Sequence, residues 1–224
     1  MKKKILAIIL ARSGSKRIKN KNIKKFNNKP LIHWTLDVAI KSKKFHDIVV
    51  SSDSSKILKI AKYNSKKILT LKRPKKLSLD NSSSEIAALH AVKWYEKKFY
   101  KIDYIALLQP TSPFRSLRTI NKGIEEIYNS KINAVISVRK TRSNDIRNKL
   151  FYLTKNKLCK RIKVNNELTP SYIINGIFYL IKKKYFFKNN SFSPSIFKPL
   201  ILSSKKENID LDTKIDWEYA KKFL

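Results

Sequence analysis

The run Lys4-Ile5-Leu6-Ala7-Ile8-Ile9-Leu10 sets the strongest limit on how this chain can fold. It is short, rich in β-branched residues and apolar at successive positions, so it suits a strand buried on both faces, as in the middle of a parallel sheet. The segment behind it, Ala11-Arg12-Ser13-Gly14-Ser15-Lys16-Arg17-Ile18-Lys19-Asn20-Lys21-Asn22, changes character at once. Five cations, two hydroxyls and a glycine fall in twelve positions, beyond the carboxyl end of the strand, where ligands of open α/β sheets bind. Backbone N–H groups and clustered positive charge converging on one point satisfy a polyphosphate. The spacing matches neither a Walker loop nor the Gly-x-Gly-x-x-Gly dinucleotide motif. Two plainer readings compete with it: a secretory signal peptide starting at Lys2, which the poor cleavage site Leu-Ala-Arg-Ser argues against, and a solvated basic turn.

Strand-like runs then alternate with helical spacing. Pro30 occupies a first helical position ahead of Ile32, Leu36, Ala39 and Ile40. Asp47 to Ser51 reads as a strand, with Ser52-Asp53 capping a helix through Tyr63, and Lys67 to Leu71 as a weaker strand. After Arg73-Pro74, the cluster Asp80-Asn81-Ser82-Ser83-Ser84 opens a helix from Glu85 to about Phe99, and redundant N-caps account for it equally well. The strand Ile102 to Leu108 enters Gln109-Pro110-Thr111-Ser112-Pro113-Phe114-Arg115, a loop stiffened by two prolines at another carboxyl end. Leu117, Ile120, Ile124 and Ile127 form one helical face, and Asn133 to Val138 is a further strand. This alternation predicts an α/β fold in three layers around a mainly parallel sheet.

From Arg139 to Ser171 the alternation breaks, and Leu150 to Leu153 with Leu158 to Val164 read as hairpin strands of a small inserted lobe, 139–171, within a single domain, 1–224. Asn175-Gly176 before the apolar run to Ile181 places backbone near a ligand. Near the end, Asp210 and Asp212 face one side of an extended segment, which is how two carboxylates share a hard cation. Lys205, Lys206 and Lys214 could neutralise the pair instead, and Asp216 reads as the cap of a last helix from Trp217 to Leu224.

The formal net charge of +35 would ordinarily suggest nucleic acid. Only nine of the 51 basic residues are arginine, however, and the lysines are spread along every predicted helix, as at Lys56, Lys59, Lys62 and Lys66. That distribution argues against a nucleic-acid protein and leaves long-range steering of an anionic substrate. One cysteine, Cys159, and three scattered histidines support neither a disulfide framework nor a zinc site. With no apolar run of the ~20 residues that span a bilayer, the chain reads as a soluble cytoplasmic protein.

Taken in order, Ala11-Arg12 with Ser15-Lys16 and Lys21-Asn22, Lys29-Pro30-Leu31, Ser51-Ser52-Asp53, Arg73-Pro74 with Asp80 to Ser83, Leu108 to Pro113, Asn175-Gly176 with Tyr179, and Asp210 to Thr213 resemble the acylneuraminate cytidylyltransferases, or CMP-sialic acid synthetases, and relatives acting on other nonulosonic acids. The resemblance implies a Rossmann-like nucleotidyltransferase fold and a homodimer whose inserted lobe reaches toward the partner's site, with CTP as cosubstrate and Mg²⁺ as cofactor. It implies that Arg12, Lys21 and Asn22, beside Ala11, Ser15 and Lys16, contact the CTP phosphates and ribose, that Arg73 and Ser82 meet the cytidine, and that Gln109, with Thr111, Ser112 and Asn175, meets the sugar acid. Asp210 and Asp212 would hold the metal, so that Arg12, Lys21 and the two aspartates carry the chemistry. Where bacterial members place arginines before Asn-Gly this chain has Ile173-Ile174, leaving the acceptor open, with Arg161 or Lys163 as substitute anchors. An eight-carbon keto-sugar acid as acceptor, another sugar nucleotidyltransferase activity and a basic nucleic-acid-binding protein are the alternatives.

Overall fold

The computed structural model describes residues 3–62, 65–140, 150–154, 156–161 and 171–224. In its first strand, β1 (Ile5–Leu10), Ile5, Ala7 and Ile9 enter one core while Leu6 and Ile8 enter another, the two-faced burial that an unbroken apolar run requires. A small hairpin, β2 (Lys25–Phe26) and β3 (Lys29–Pro30), leads into α1 (Leu31–Ser42), with Pro30 at the N-cap rather than at the first helical position. Then come β4 (Asp47–Ser52), α2 (Ser55–Ala61), β5 (Ile68–Lys72), α3 (Ser84–Lys98), β6 (Tyr104–Leu107), α4 (Leu117–Tyr128) and β7 (Ala134–Lys140). The chain closes with β8 (Leu150–Leu153), β9 (Cys159–Arg161), β10 (Ser171–Lys182), α5 (Lys183–Asn189), β11 (Ile196–Ile201) and α6 (Lys214–Lys221).

The large sheet has nine strands in the order β5-β4-β1-β6-β10-β7-β11-β9-β8. Helices α1, α2 and α4 bury Leu36, Ile57, Ile120 and Ile124 against one face, and α3 and α5 bury Ala91, Tyr95 and Phe186 against the other. The expected three layers are therefore present, and β5, β4, β1 and β6 run parallel. The sheet departs from the parallel expectation at β10, which runs antiparallel to both β6 and β7. Its register shifts between Ile174 and Tyr179, so the strand bulges at Asn175-Gly176. Before the bulge, at Ser171 to Ile173, β10 also pairs with β8, β8 with β9, and β9 with β11 beside β7, which joins β7, β11, β9, β8 and β10 in a closed circuit. The described part of 139–171 thus extends the main sheet; the segments 141–149 and 162–170, with Lys163, lie outside the described residues, as does Tyr63.

The caps differ from expectation in detail. Ser54, not Ser52-Asp53, caps α2, and Ser83 caps α3. Thr213 caps α6 three residues earlier than predicted, with Asp216 completing a capping box. Cys159 is fully buried and its thiol is pushed up to about 12 by burial, which keeps it unreactive. Among the described residues no helix is long and apolar enough to cross a membrane.

Candidate functional site

The carboxyl ends of β1 and β6 open into a cleft of about 570 Å³. Its floor is the basic loop, which supplies Arg12, Ser15, Lys16, Arg17, Lys21 and Asn22; Asp80, Gln109, Thr111 and Asp212 complete the wall. The loop is held from below. Ala11 is buried and donates its N–H to the Ser51 carbonyl at 3.0 Å, continuing the β1–β4 ladder by one residue. Ser13 donates its N–H and its hydroxyl to Asp53, at 2.9 and 2.5 Å, and Asn22 donates to the Arg12 carbonyl at 2.9 Å. Although burial opposes it, these bonds from Ser13 hold the Asp53 carboxyl below its ordinary value. Gly14 has no crowded α-carbon, since an added Cβ would meet no protein atom within 4 Å.

A third, smaller core fixes the opposite wall. Ile18 of the loop, Phe26 and Leu31 pack with Ile209, Leu211, Trp217 and Ala220, and the Leu211 N–H donates to the Thr111 carbonyl at 2.8 Å. With Ile209 and Leu211 buried, the extended backbone turns Asp210 and Asp212 outward. Lys21 Nζ lies 2.9 Å from Asp212 Oδ1, and Arg17 pairs with Asp212 Oδ2. The neutralising partners of this aspartate are thus loop cations rather than Lys205, Lys206 or Lys214. Despite the opposing effect of burial, Lys21 first, then Arg17 and Arg12, hold the Asp212 carboxyl below the usual carboxylate range. Asp210 moves the other way: its residue surface is exposed, yet its carboxyl sits in a crowded, poorly hydrated position that pushes it up, opposed by the Thr111 hydroxyl and Lys21. Across the cleft, Asp80 binds Lys16 at 2.6 Å and Arg12 at 2.7 Å.

Several predicted contacts are not at the cleft surface. Ser112 is fully buried, off the cleft surface, and its hydroxyl has no hydrogen-bond partner among the described residues. Asn175 is half-buried, accepts from Ser137 at 2.6 Å and donates to Asn208 at 2.8 Å within the β10 bulge, and it does not line the cleft. Ser82 donates to the Lys76 carbonyl, and Arg73 is 5 % exposed with its Nε on Ser78 Oγ at 2.7 Å. Burial lowers the Arg73 guanidinium, with Asp53 opposing and Arg12 adding to the shift.

Two further residues organise the site. Arg115, buried, donates to the Ile177 carbonyl at 2.6 Å, the Gln109 carbonyl at 2.8 Å and Thr35 Oγ1 at 3.0 Å, tying the proline loop, the bulge and α1 together. Burial pushes this guanidinium down to about 9, still charged at neutral pH. Asp80 was legible only as one member of a polar cluster. Its pairing with Arg12 spans 68 residues, and no local spacing encodes that.

Among the described residues no group of three or more His, Cys, Asp or Glu side chains could hold a metal by itself. The donor chemistry of Asp210 and Asp212 nevertheless suits Mg²⁺, which binds through one or two carboxylates completed by substrate phosphates and water.

A family model for cytidylyltransferases matches residues 6–218. The chain is 34 % identical to the CMP-N,N'-diacetyllegionaminic acid synthase of Legionella pneumophila, over 99 % of this chain and 96 % of the relative. It is also 34 % identical to the N-acylneuraminate cytidylyltransferase of Escherichia coli, over 98 % of this chain and 52 % of that longer protein. In fold it is similar to a CMP:2-keto-3-deoxy-manno-octonic acid synthetase solved with CTP, at a TM-score of 0.75 and 12 % identity, covering 98 % of each chain.

Proposed function

Because the chain belongs to the cytidylyltransferase family, we propose that it transfers CMP from CTP to the anomeric hydroxyl of a nonulosonic acid and releases pyrophosphate. The observation that carries this reading is the convergence of Arg12, Lys16, Arg17 and Lys21 on one cleft that also bears Gln109 and Asp212. Such a reaction depends on charge neutralisation and alignment more than on a covalent intermediate. The four cations meet the triphosphate, leaving Asp80 and Asp212 as they do so. Gln109, braced by Arg115 through its carbonyl, orients the acceptor against the α-phosphate. Asp210 and Asp212 would hold Mg²⁺, which when bound neutralises phosphate charge and makes the acceptor hydroxyl more acidic.

Two relatives named for different acids share the same identity with this chain, so identity alone does not choose the acceptor. Ile173 and Ile174 on β10 offer no cation to the carboxylate that all these acids share, so that carboxylate is anchored from elsewhere and the two isoleucines do not select the acceptor. Pyrophosphate release is the test, measured with CTP, Mg²⁺ and a panel of legionaminic, pseudaminic and N-acetylneuraminic acids and the eight-carbon keto acid. Release is expected with CTP over the other nucleoside triphosphates, and with at least one nonulosonic acid of the panel. Absence of CTP-dependent release with every acceptor would overturn the assignment.

A further inference from the structure

The cations that should serve the nucleotide are already engaged. Asp80, in the turn between β5 and α3, gives one carboxylate oxygen to Arg12 and the other to Lys16. Its side chain is 48 % exposed and forms part of the cleft wall facing the basic loop. The loop does not need Asp80 for its shape, because Asp53, the Ser51 carbonyl and Asn22 fix its backbone separately.

We propose that Asp80 sets the affinity of the cleft for polyphosphate, occupying Arg12 and Lys16 until the nucleotide's phosphates displace it. The proposal rests on the function assigned above, since it requires a polyanion in this cleft. Two effects act in the same direction. A ligand must first take the two cations from Asp80, and once displaced the carboxylate still lines the cleft, so it repels bound phosphate over a range comparable with the Debye length of ~8–10 Å. The opposing effect is preorganisation, since Asp80 holds the two side chains in place. For exposed ion pairs, ordering of this kind contributes little. Asparagine at this position keeps an acceptor oxygen for Arg12 and removes the charge.

The experiment is calorimetric titration of wild type, Asp80→Asn and Asp80→Ala with CTP, inorganic pyrophosphate and cytidine, alongside thermal melting. Expected are unchanged melting, Kd values for CTP and pyrophosphate lower by about three- to tenfold in both variants, as for loss of exposed pairs, and no tightening for cytidine. Unchanged or weaker CTP and pyrophosphate binding by the folded variants would overturn the proposal. Pyrophosphate separates the two readings. Tighter pyrophosphate in Asp80→Asn with no CTP binding by wild type keeps the role of Asp80 and sinks the nucleotide; normal wild-type CTP turnover without tightening does the reverse.

Discussion

Lys21 is the least exposed of the four loop cations, its side chain at 12 % against 37 % for Arg12, and so is held most firmly before any ligand arrives. Loss of one such fixed donor typically costs ~2.7–4 kcal/mol in the transition state. Lys21→Ala and Arg12→Ala should therefore each lower kcat/KM by about two to three orders of magnitude in steady-state assays while melting normally. Near-normal turnover by a folded Lys21→Ala protein would remove the loop from the mechanism. Asp212→Asn distinguishes a metal role from simple pairing. If Asp212 holds Mg²⁺, the variant loses most activity and recovers part of it as Mg²⁺ is raised; if it only neutralises Arg17 and Lys21, activity survives at ordinary Mg²⁺. The loop cations could be picked out in the sequence because clustered charge at the end of an apolar strand is a local pattern, and Asp212 because alternate residues of an extended segment face one side. The burial of Ser112 and the hydrogen bonds of Asn175 to Ser137 and Asn208 could not, since a hydroxyl or an amide in a polar loop looks the same in the sequence whatever it faces.

At the scale of elements, the bulge in β10 and the proline loop meet at Gly176. This glycine has φ +79, and a Cβ there would lie 2.9 Å from Gln109 Oε1. Gly176→Ala is expected to cost about 1 kcal/mol or more in backbone strain and to push Gln109 aside, so KM for the sugar acid should rise much more than KM for CTP. Equal changes in both constants would show that Gln109 does not serve the acceptor. Elsewhere, Glu96 of α3 ties two neighbouring segments together, accepting from Lys183 at 2.7 Å and from the Ile102 N–H at 2.9 Å. Burial alone would push its carboxyl up, but these partners hold it below its ordinary value. The stability this adds is complete above the unfolded value and is lost as pH falls through the lower folded one. Glu96→Gln should cost about 1–2 kcal/mol at neutral pH, and denaturant titrations of variant and wild type should converge in acid. Strands β1, β4, β6 and β7 were readable because double-faced burial leaves continuous apolar runs. The direction of β10 was not, because strand periodicity is the same for parallel and antiparallel pairing.

For the whole molecule, a net charge of +35 makes encounter with CTP an electrostatic process. Raising ionic strength should lower kcat/KM for CTP several-fold while leaving kcat nearly constant, since screening acts on approach more than on the bound complex. A matching fall in kcat would place the salt effect within the cleft. The closed circuit of β7, β11, β9, β8 and β10 also has a consequence for how copies of the chain behave when concentrated. An open sheet offers two unpaired margins onto which a foreign strand can add, the usual start of aggregation. Here the circuit seals one of them, and among the described residues β5 is left as the sole free margin of the large sheet. That strand is five residues long, ends in Lys72 and follows Lys66 and Lys67, so a second copy approaching in register would bring lysine against lysine. The lysine excess that contributes little to specificity thus acts as a colloidal safeguard, guarding the one margin the topology leaves open.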